Sequence, residues 1–150
     1  MSSPIDPSPI RPALVDPAPV DRPLLDRWIR LDHVQLAIPV GAEDEARAFY
    51  VGVLGLTEVP KPPAMAVRGG AWFEAGEVRI HVGVDEPFVP ARKAHPALVM
   101  SGLREFISDA GLDATWSDEA PGVVRCHVAD PFGNRIELID GEAGSQERDR

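Results

Sequence analysis

The sequence predicts an α+β fold made of two copies of one unit, in which a strand precedes a helix and about three strands follow it. Residues 43–54 and 103–110 each place apolar side chains at helical spacing, so each segment predicts an amphipathic helix. Extended apolar stretches lie before and after both helices. The glycine-leucine pair that follows each helix recurs 56 residues later, as Gly55-Leu56 and Gly111-Leu112. A repeat at such a period indicates an internal duplication.

The first copy begins with an extended apolar stretch over residues 31–38, which predicts its first strand. The helix over 43–54 follows, and Gly55 stands where a left-handed residue closes helices. Strand-like runs at 71–75 and 78–84 then predict two short strands.

The second copy begins with the stretch over residues 95–100, which again predicts a first strand. The helix over 103–110 has Ser101 as its expected N-cap and Gly111 as its closing residue. Three strand-like runs follow the helix, at 114–117, 123–129 and 135–139.

Composition separates one domain from two tails. Residues 1–27 contain seven of the 16 prolines, so we expect an extended tail there, either a disordered leader or a segment that lies along a partner subunit. The domain is predicted over 28–140, with modules at about 28–86 and 93–140. Residues 141–150 are polar and predict a second tail.

The charge balance excludes some classes of partner. The net charge is −9, whereas nucleic acid and anionic membranes attract basic proteins. No apolar run approaches the roughly 18 residues of a membrane span, and the N-terminal segment does not have the pattern of a signal peptide. The single cysteine, Cys126, has no partner for an internal disulfide. We therefore expect a cytoplasmic protein that binds neither nucleic acid nor membrane.

The histidines indicate a metal site. His33 and His95 fall on the first strand of each half, and His81 and Glu137 fall on the last. If the halves pack about a pseudo-twofold axis, these four side chains converge. Imidazoles and a carboxylate suit zinc, nickel, manganese or ferrous iron. The alternative is that the histidines are structural and the domain serves as an interaction partner.

Three segments resemble the vicinal oxygen chelate superfamily, which includes glyoxalase I, fosfomycin-resistance thiol transferases, extradiol dioxygenases and bleomycin-binding proteins. They are residues 31–39, Phe49-Tyr50 with the Leu-Gly-Leu of 54–56, and the D-P-F-G-N-R-I-E-L run at 130–138. The resemblance covers about 30–140. It implies the glyoxalase-like fold, in which two βαβββ modules form a curved mixed-sheet cup with helices outside.

The resemblance also implies one divalent metal ion, with ligands at His33, His95 and Glu137. His81 stands where bacterial glyoxalase I has a glutamate, so it is either a fourth ligand or a catalytic base. His127 is a second candidate base, because histidine titrates near neutrality. Members of this size usually form homodimers, and the resemblance implies one here.

Strand parity places three arginines on the face that carries the candidate ligands, because side chains two residues apart share a face. They are Arg79 beside His81, Arg125 beside His127, and Arg135 beside Glu137. One hypothesis is that they bind an anionic substrate through paired hydrogen bonds. The alternative is that they meet solvent or nearby acids.

Two functions follow from the resemblance. The first is a metal-dependent enzyme, with a lyase or isomerase as the leading class and a dioxygenase or thiol transferase as others. Its substrate would be a small oxygenated molecule that chelates the metal. The alternative is a non-catalytic protein that binds an antibiotic or another small molecule, as bleomycin-resistance proteins do. Only nine residues of the whole chain are aromatic, which weighs against an aromatic binding cavity.

Overall fold

The computed structural model describes residues 27–142, so nearly all of the predicted N-terminal tail and the last eight residues lie outside it. By its contacts the chain divides into two units, Met1–Leu31 and Asp32–Arg150. Of the first unit only residues 27–31 are described, and they are exposed and form neither helix nor strand. All helices and strands of the described residues belong to the second unit. No helix within 27–142 is long and apolar enough to cross a membrane.

The first module is a four-stranded mixed sheet with one main helix. Its strands follow the order β1-β4-β3-β2, with β1 parallel to β4 and the other neighbours antiparallel. Its elements are β1 (Val34–Ile38), α1 (Glu43–Tyr50), β2 (Thr57–Val59), α2 (Pro63–Ala66), β3 (Ala71–Ala75) and β4 (Val78–Val84).

The second module repeats this arrangement in a sheet of its own, ordered β5-β8-β7-β6, in which β5 is again parallel to its neighbour. The predicted α+β fold with two βαβββ modules is therefore confirmed. The elements are β5 (Ala97–Met100), α3 (Leu103–Ala110), β6 (Thr115–Ser117), β7 (Arg125–Ala129) and β8 (Arg135–Asp140).

The strand registers show which positions of the modules correspond. In the first sheet His81 lies between Gln35 of β1 and Trp72 of β3. In the second sheet Glu137 lies between Ala97 of β5 and His127 of β7. His81 and Glu137 thus occupy equivalent places, as their 56-residue separation predicts.

The core lies on the opposite face of each sheet from these polar residues. Phe73 alternates with Trp72 along β3 and is fully buried, with its ring stacked on that of Tyr50 from α1 at 5.1 Å between centroids. Cys126 alternates with His127 and is also buried in the core. Burial of such apolar faces is the main source of stability in a fold of this kind.

A turn between β7 and β8 joins the two modules. Its Asp130 carboxylate is buried and accepts a hydrogen bond from the hydroxyl of Tyr50 at 2.9 Å. The side-chain amide of Asn134 donates to the backbone oxygen of Ala37 in β1 at 2.8 Å. The D-P-F-G-N run therefore contacts the first module through both its ends.

Two elements of the structure are not among the predicted ones. Strand β2 has only three residues and no alternation of apolar and polar side chains, so periodicity does not reveal it. Helix α2 is a single turn with Pro62 as its N-cap and Pro63 as its first residue. A missing N–H costs nothing at that first position. Both lie in the stretch between α1 and β3.

The first main helix is shorter than predicted, and the second has the predicted bounds but a different N-cap. Helical spacing predicts that the first helix continues to residue 54, but it ends at Tyr50. The next residues form turns, and Gly55 has a φ of 73°. The prediction that Ser101 is the N-cap of the second helix is wrong. Gly102 is the N-cap, with a φ of 64°, and no side chain caps the helix. Gly111 closes the second helix as predicted, at a φ of 62°.

Candidate functional site

Two imidazoles and a carboxylate meet on the second sheet. The side chains of His95, His127 and Glu137 each offer a ligating atom, and these atoms lie within 4.8 Å of one another. The Nε2 atoms of His95 and His127 lie 3.1 Å and 4.0 Å from the same carboxylate oxygen, Oε2 of Glu137. His127 reaches the cluster because the register of β7 and β8 places it directly opposite Glu137. We refer to these three residues as the triad.

The orientation of His95 is fixed from its other side. Its Nδ1 lies 2.7 Å from the backbone oxygen of Lys93. Because a carbonyl oxygen only accepts hydrogen bonds, Nδ1 carries the proton and donates it. Nε2 then faces the Glu137 carboxylate, and this contact is favourable only when a proton or a metal cation lies between the two atoms. Metal-bound histidines are commonly held by such a second hydrogen bond.

The charge states of the triad suit a cation. Burial acts to raise the pKa of Glu137, but hydrogen bonds from His95 and Arg125 and the charge of Arg125 outweigh it and hold the pKa below its usual value. Burial, followed by the positive charge of Arg135, lowers the pKa of His127. Near neutral pH the cluster therefore contains an ionised carboxylate and a neutral His127, the forms in which these groups bind metals.

A second histidine cluster lies on the first sheet. The ring of His81 is stacked between those of Trp72 and His33, with centroids 4.4 Å and 4.0 Å away. Burial, followed by the electrostatic interaction with the neighbouring imidazole of His33, lowers the pKa of His81. The three rings line a cavity of about 260 Å³, which Met65 also borders.

The four ligands that the sequence predicts thus fall into two pairs. His95 and Glu137 are together in the triad, whereas His33 and His81 are together on the first sheet. Among residues 27–142 the triad is the one set of three or more such groups with mutually close donor atoms, and His33 and His81 lie outside it. The triad includes His127, which the sequence singled out as a base. The hairpin centred on Phe132 pairs residue 127 with residue 137. The turn motif at 130–134 could therefore have predicted from the sequence that His127 lies beside Glu137.

Solved structures similar to this one decide the family. A glyoxalase family protein from Bacillus anthracis is 45% identical to this chain, and the match covers 75% of this chain and 96% of that one with a TM-score of 0.72. The chain belongs to the glyoxalase family, within the vicinal oxygen chelate superfamily. Neither a protein-family model nor a curated protein matches it.

More distant structures share the fold of this glyoxalase family member. FosX, a fosfomycin resistance protein from Listeria monocytogenes, is 15% identical over 78% of this chain and 98% of that one, with a TM-score of 0.59. TnmS3, an antibiotic binding protein from Streptomyces sp. CB03234, is 19% identical over 75% of this chain and 98% of that one, with a TM-score of 0.56. At such identities the likeness concerns the glyoxalase-like fold alone.

The three arginines that the sequence singled out have different surroundings. Arg79 donates to Asp32 at 3.0 Å and lies 3.5 Å from the carboxylate of Glu74. Arg125 donates to Oε1 of Glu137 at 3.1 Å. Both therefore meet nearby acids, as the alternative interpretation held. Arg135 differs, because its guanidinium forms no hydrogen bond or ion pair within residues 27–142.

Proposed function

We propose that this glyoxalase family member is a divalent-metal-dependent enzyme, with a lyase or isomerase reaction on a small oxygenated substrate as the leading class. The observation that carries the proposal is the triad, in which two imidazole Nε2 atoms face one carboxylate oxygen. Membership of the glyoxalase family supports it independently.

The donor atoms of the triad fit a zinc, nickel, manganese or ferrous ion. Two nitrogens and one carboxylate oxygen are the ligand types that these ions take, and three protein ligands leave positions open for substrate. Arg125 holds Oε1 of Glu137, which leaves Oε2 directed at both histidines. Glu137 is 7% exposed as a residue, so bulk water competes weakly with a bound cation.

The residues around such an ion would have separate tasks. A bound divalent metal ion stabilises negative charge that develops on substrate oxygens. Glu137 and His95 are the proposed ligands from this sheet. His127 is neutral near pH 7 because of its lowered pKa, so its Nε2 can either bind the metal or accept a proton from substrate. His81, with its own lowered pKa, is the corresponding candidate on the other sheet.

We further propose a homodimer that completes the ligand set. Strands β1 and β5, which follow His33 and His95 in the chain, both lie at an edge of their sheets. A second copy of the chain would bring the partner's His33 and the partner's His81 to the triad, at a site shared between subunits. Closed twofold pairs are the commonest protein assemblies, and the unpaired backbone groups of an edge strand offer a surface at which a second chain can pair.

One observation favours the second candidate, a non-catalytic small-molecule binding protein. The stacked rings of Trp72, His81 and His33 form an aromatic wall beside a cavity of about 260 Å³. Such a wall suits a planar ligand, and TnmS3, which shares the fold, is an antibiotic binding protein.

A turnover assay separates the two functions. The protein would be loaded with Zn²⁺, Ni²⁺, Mn²⁺ or Fe²⁺ and tested on enediol, catechol and epoxide substrates. The enzyme proposal predicts metal-dependent turnover that Glu137→Gln abolishes. Glu77→Gln, which neutralises an exposed turn carboxylate, should leave turnover unchanged. Saturable ligand binding that survives chelator treatment, without turnover under any metal, would favour the binding protein.

A further inference from the structure

We propose that an anionic group of the substrate, a carboxylate or a phosphate, binds between the guanidinium groups of Arg92 and Arg135, in a cavity beside the triad. The inference rests on the proposed function, since it assigns the anion to the molecule that the triad would bind. It narrows the substrate class to short oxygenated acids.

The cavity adjoins the triad directly. It has a volume of about 370 Å³ and is lined by Arg92, Thr115, His127 and Arg135, among others. His127 belongs both to this cavity and to the triad. The backbone N–H of Arg135 donates to the oxygen of Ala91 at 3.4 Å, which holds the segment that carries Arg92 against the start of β8.

Both arginines face this cavity without a counterion. Within residues 27–142 neither Arg92 nor Arg135 makes a side-chain hydrogen bond or an ion pair, unlike Arg79 and Arg125. Two guanidinium groups that line one cavity repel each other, and each presents five donors in a planar fork that fits carboxylate or phosphate oxygens. An anion between them would satisfy both groups.

The charge around the cavity is net positive even though one carboxylate lines it. Asp113 borders the cavity and forms no ion pair with either arginine within the described chain. One negative charge against two positive ones leaves an excess that an anionic ligand would neutralise. Thr115 adds a hydroxyl that can donate a further hydrogen bond.

The distance along β8 limits the size of the substrate. Arg135 and Glu137 are two residues apart on one strand, so their side chains share a face and their Cα atoms are about 6.6 Å apart. A molecule with its anionic group at Arg135 and an oxygen at the triad therefore needs only a few bonds between the two. Short hydroxy, keto or epoxy acids and their phosphorylated counterparts meet this condition.

The test is a titration of the metal-free protein with anions, in which heteronuclear NMR detects binding. Sodium chloride is adjusted to keep the ionic strength constant. The probes are sodium phosphate and sodium acetate. We expect saturable shifts of the Thr115 and His127 amides and of the Arg135 Nε–H signal. Tighter phosphate binding would indicate a phosphorylated substrate and tighter acetate binding a carboxylate, and either result supports the proposal.

Three variants make the test specific. Arg135→Met should raise the Kd of the better probe about tenfold or more, because a charge-assisted pair of hydrogen bonds is lost. Arg92→Met should also raise the Kd. Because Arg92 is exposed, this variant should fold, so it tests the proposal even if Arg135→Met does not fold. Arg68→Met removes the same charge from an exposed arginine outside the cavity and should leave the Kd unchanged.

Two outcomes would overturn the proposal: no saturable shift with either anion, or the same Kd in Arg135→Met and Arg68→Met. Metal binding is measured separately on the same variants. If the metal proposal fails, the protein will bind no metal ion but will still bind the anions. A failure of the anion proposal would leave metal stoichiometry intact, so the two failures are distinguishable.

Discussion

Replacement of Asp130 by asparagine should strongly destabilise the protein. The Asp130 side chain accepts four hydrogen bonds at 2.8–3.0 Å. Oδ1 accepts from the backbone N–H groups of Phe132 and Asn134, and Oδ2 accepts from the Tyr50 hydroxyl and the Asn134 side-chain amide. Burial and the charge of Asp130 raise the pKa of Tyr50, so its hydroxyl stays protonated as a donor.

The magnitude follows from what an amide does in this place. An NH₂ group at the Oδ1 position would face two backbone N–H donors, so the new amide is better tolerated with its NH₂ at the Oδ2 position. There the Tyr50 hydroxyl can rotate to accept, but the Asn134 side-chain amide cannot, so one buried donor loses its partner. The three hydrogen bonds that remain are also weakened, because the acceptor is no longer charged. A hydrogen bond to a charged group contributes about 1.5–3 kcal/mol. We expect Asp130→Asn to lower the free energy of unfolding by about 3–5 kcal/mol, and Tyr50→Phe, which removes one such bond, by about 1.5–3 kcal/mol.

Urea unfolding at fixed protein concentration, without metal, measures these changes. With a denaturant slope of about 1–3 kcal/mol/M, the midpoint should fall by about 2 M for Asp130→Asn and about 1 M for Tyr50→Phe. The double variant should show a coupling free energy of at least about 0.5 kcal/mol, as residues in contact do. Asp109→Asn, on the exposed side of α3, is the control and should leave the midpoint unchanged. An Asp130→Asn midpoint equal to that of wild type would show that the four hydrogen bonds to Asp130 do not stabilise the fold as proposed.

Three further predictions concern the first module. Gly70→Ala should cost more stability in thermal melting than Gly76→Ala, because both glycines have positive φ but only at Gly70 would the new Cβ collide with the Val82 carbonyl. Phe73→Ala should lower the free energy of unfolding by about 3–5 kcal/mol, because this ring is fully buried. Burial lowers the pKa of His81, so the unfolded chain binds its proton more readily. Stability should therefore fall as the pH drops below about 6.5, by at most about 1.4 kcal/mol per pH unit for this group, and less steeply in His81→Gln.

Each of these has an opposing result. Equal melting temperatures for the two glycine variants would contradict the close approach at Gly70. A loss under about 1 kcal/mol for Phe73→Ala would mean that the ring is not packed as described. The same pH dependence in His81→Gln and wild type would show that His81 does not titrate differently on unfolding.

Local periodicity was sufficient to predict most of the fold. The runs at 71–75 and 78–84 and the helix at 103–110 have the bounds of β3, β4 and α3, because alternation and helical spacing are properties of short segments. The first helix ends early because the chain must turn into β2, and that strand is too short to leave a pattern. What a segment packs against is decided by residues far away in the chain.

The same distinction separates what the sequence predicted of the site from what it did not. Parity along β8 places Arg135 and Glu137 on one face, which the strand structure bears out. Parity does not tell how the two sheets lie relative to each other. It therefore does not predict that His33 lies with His81 on the first sheet while His95 lies with Glu137 on the second. Arg79 pairs with Asp32, which precedes β1, and with Glu74 of β3. Only the assembled fold brings these acids to Arg79.

The assignment of the triad as a metal site is tested most directly by the metal content of the protein. The protein would be purified without an affinity tag or chelator, and its metal measured by plasma mass spectrometry. We expect about one divalent metal ion per chain in the wild type and in Glu77→Gln. The His95→Ala/Glu137→Ala double variant should have lost it. No metal in any of the three after addition of Zn²⁺, Ni²⁺, Mn²⁺ or Fe²⁺, or equal metal in all of them, would contradict the assignment of the triad as a metal site.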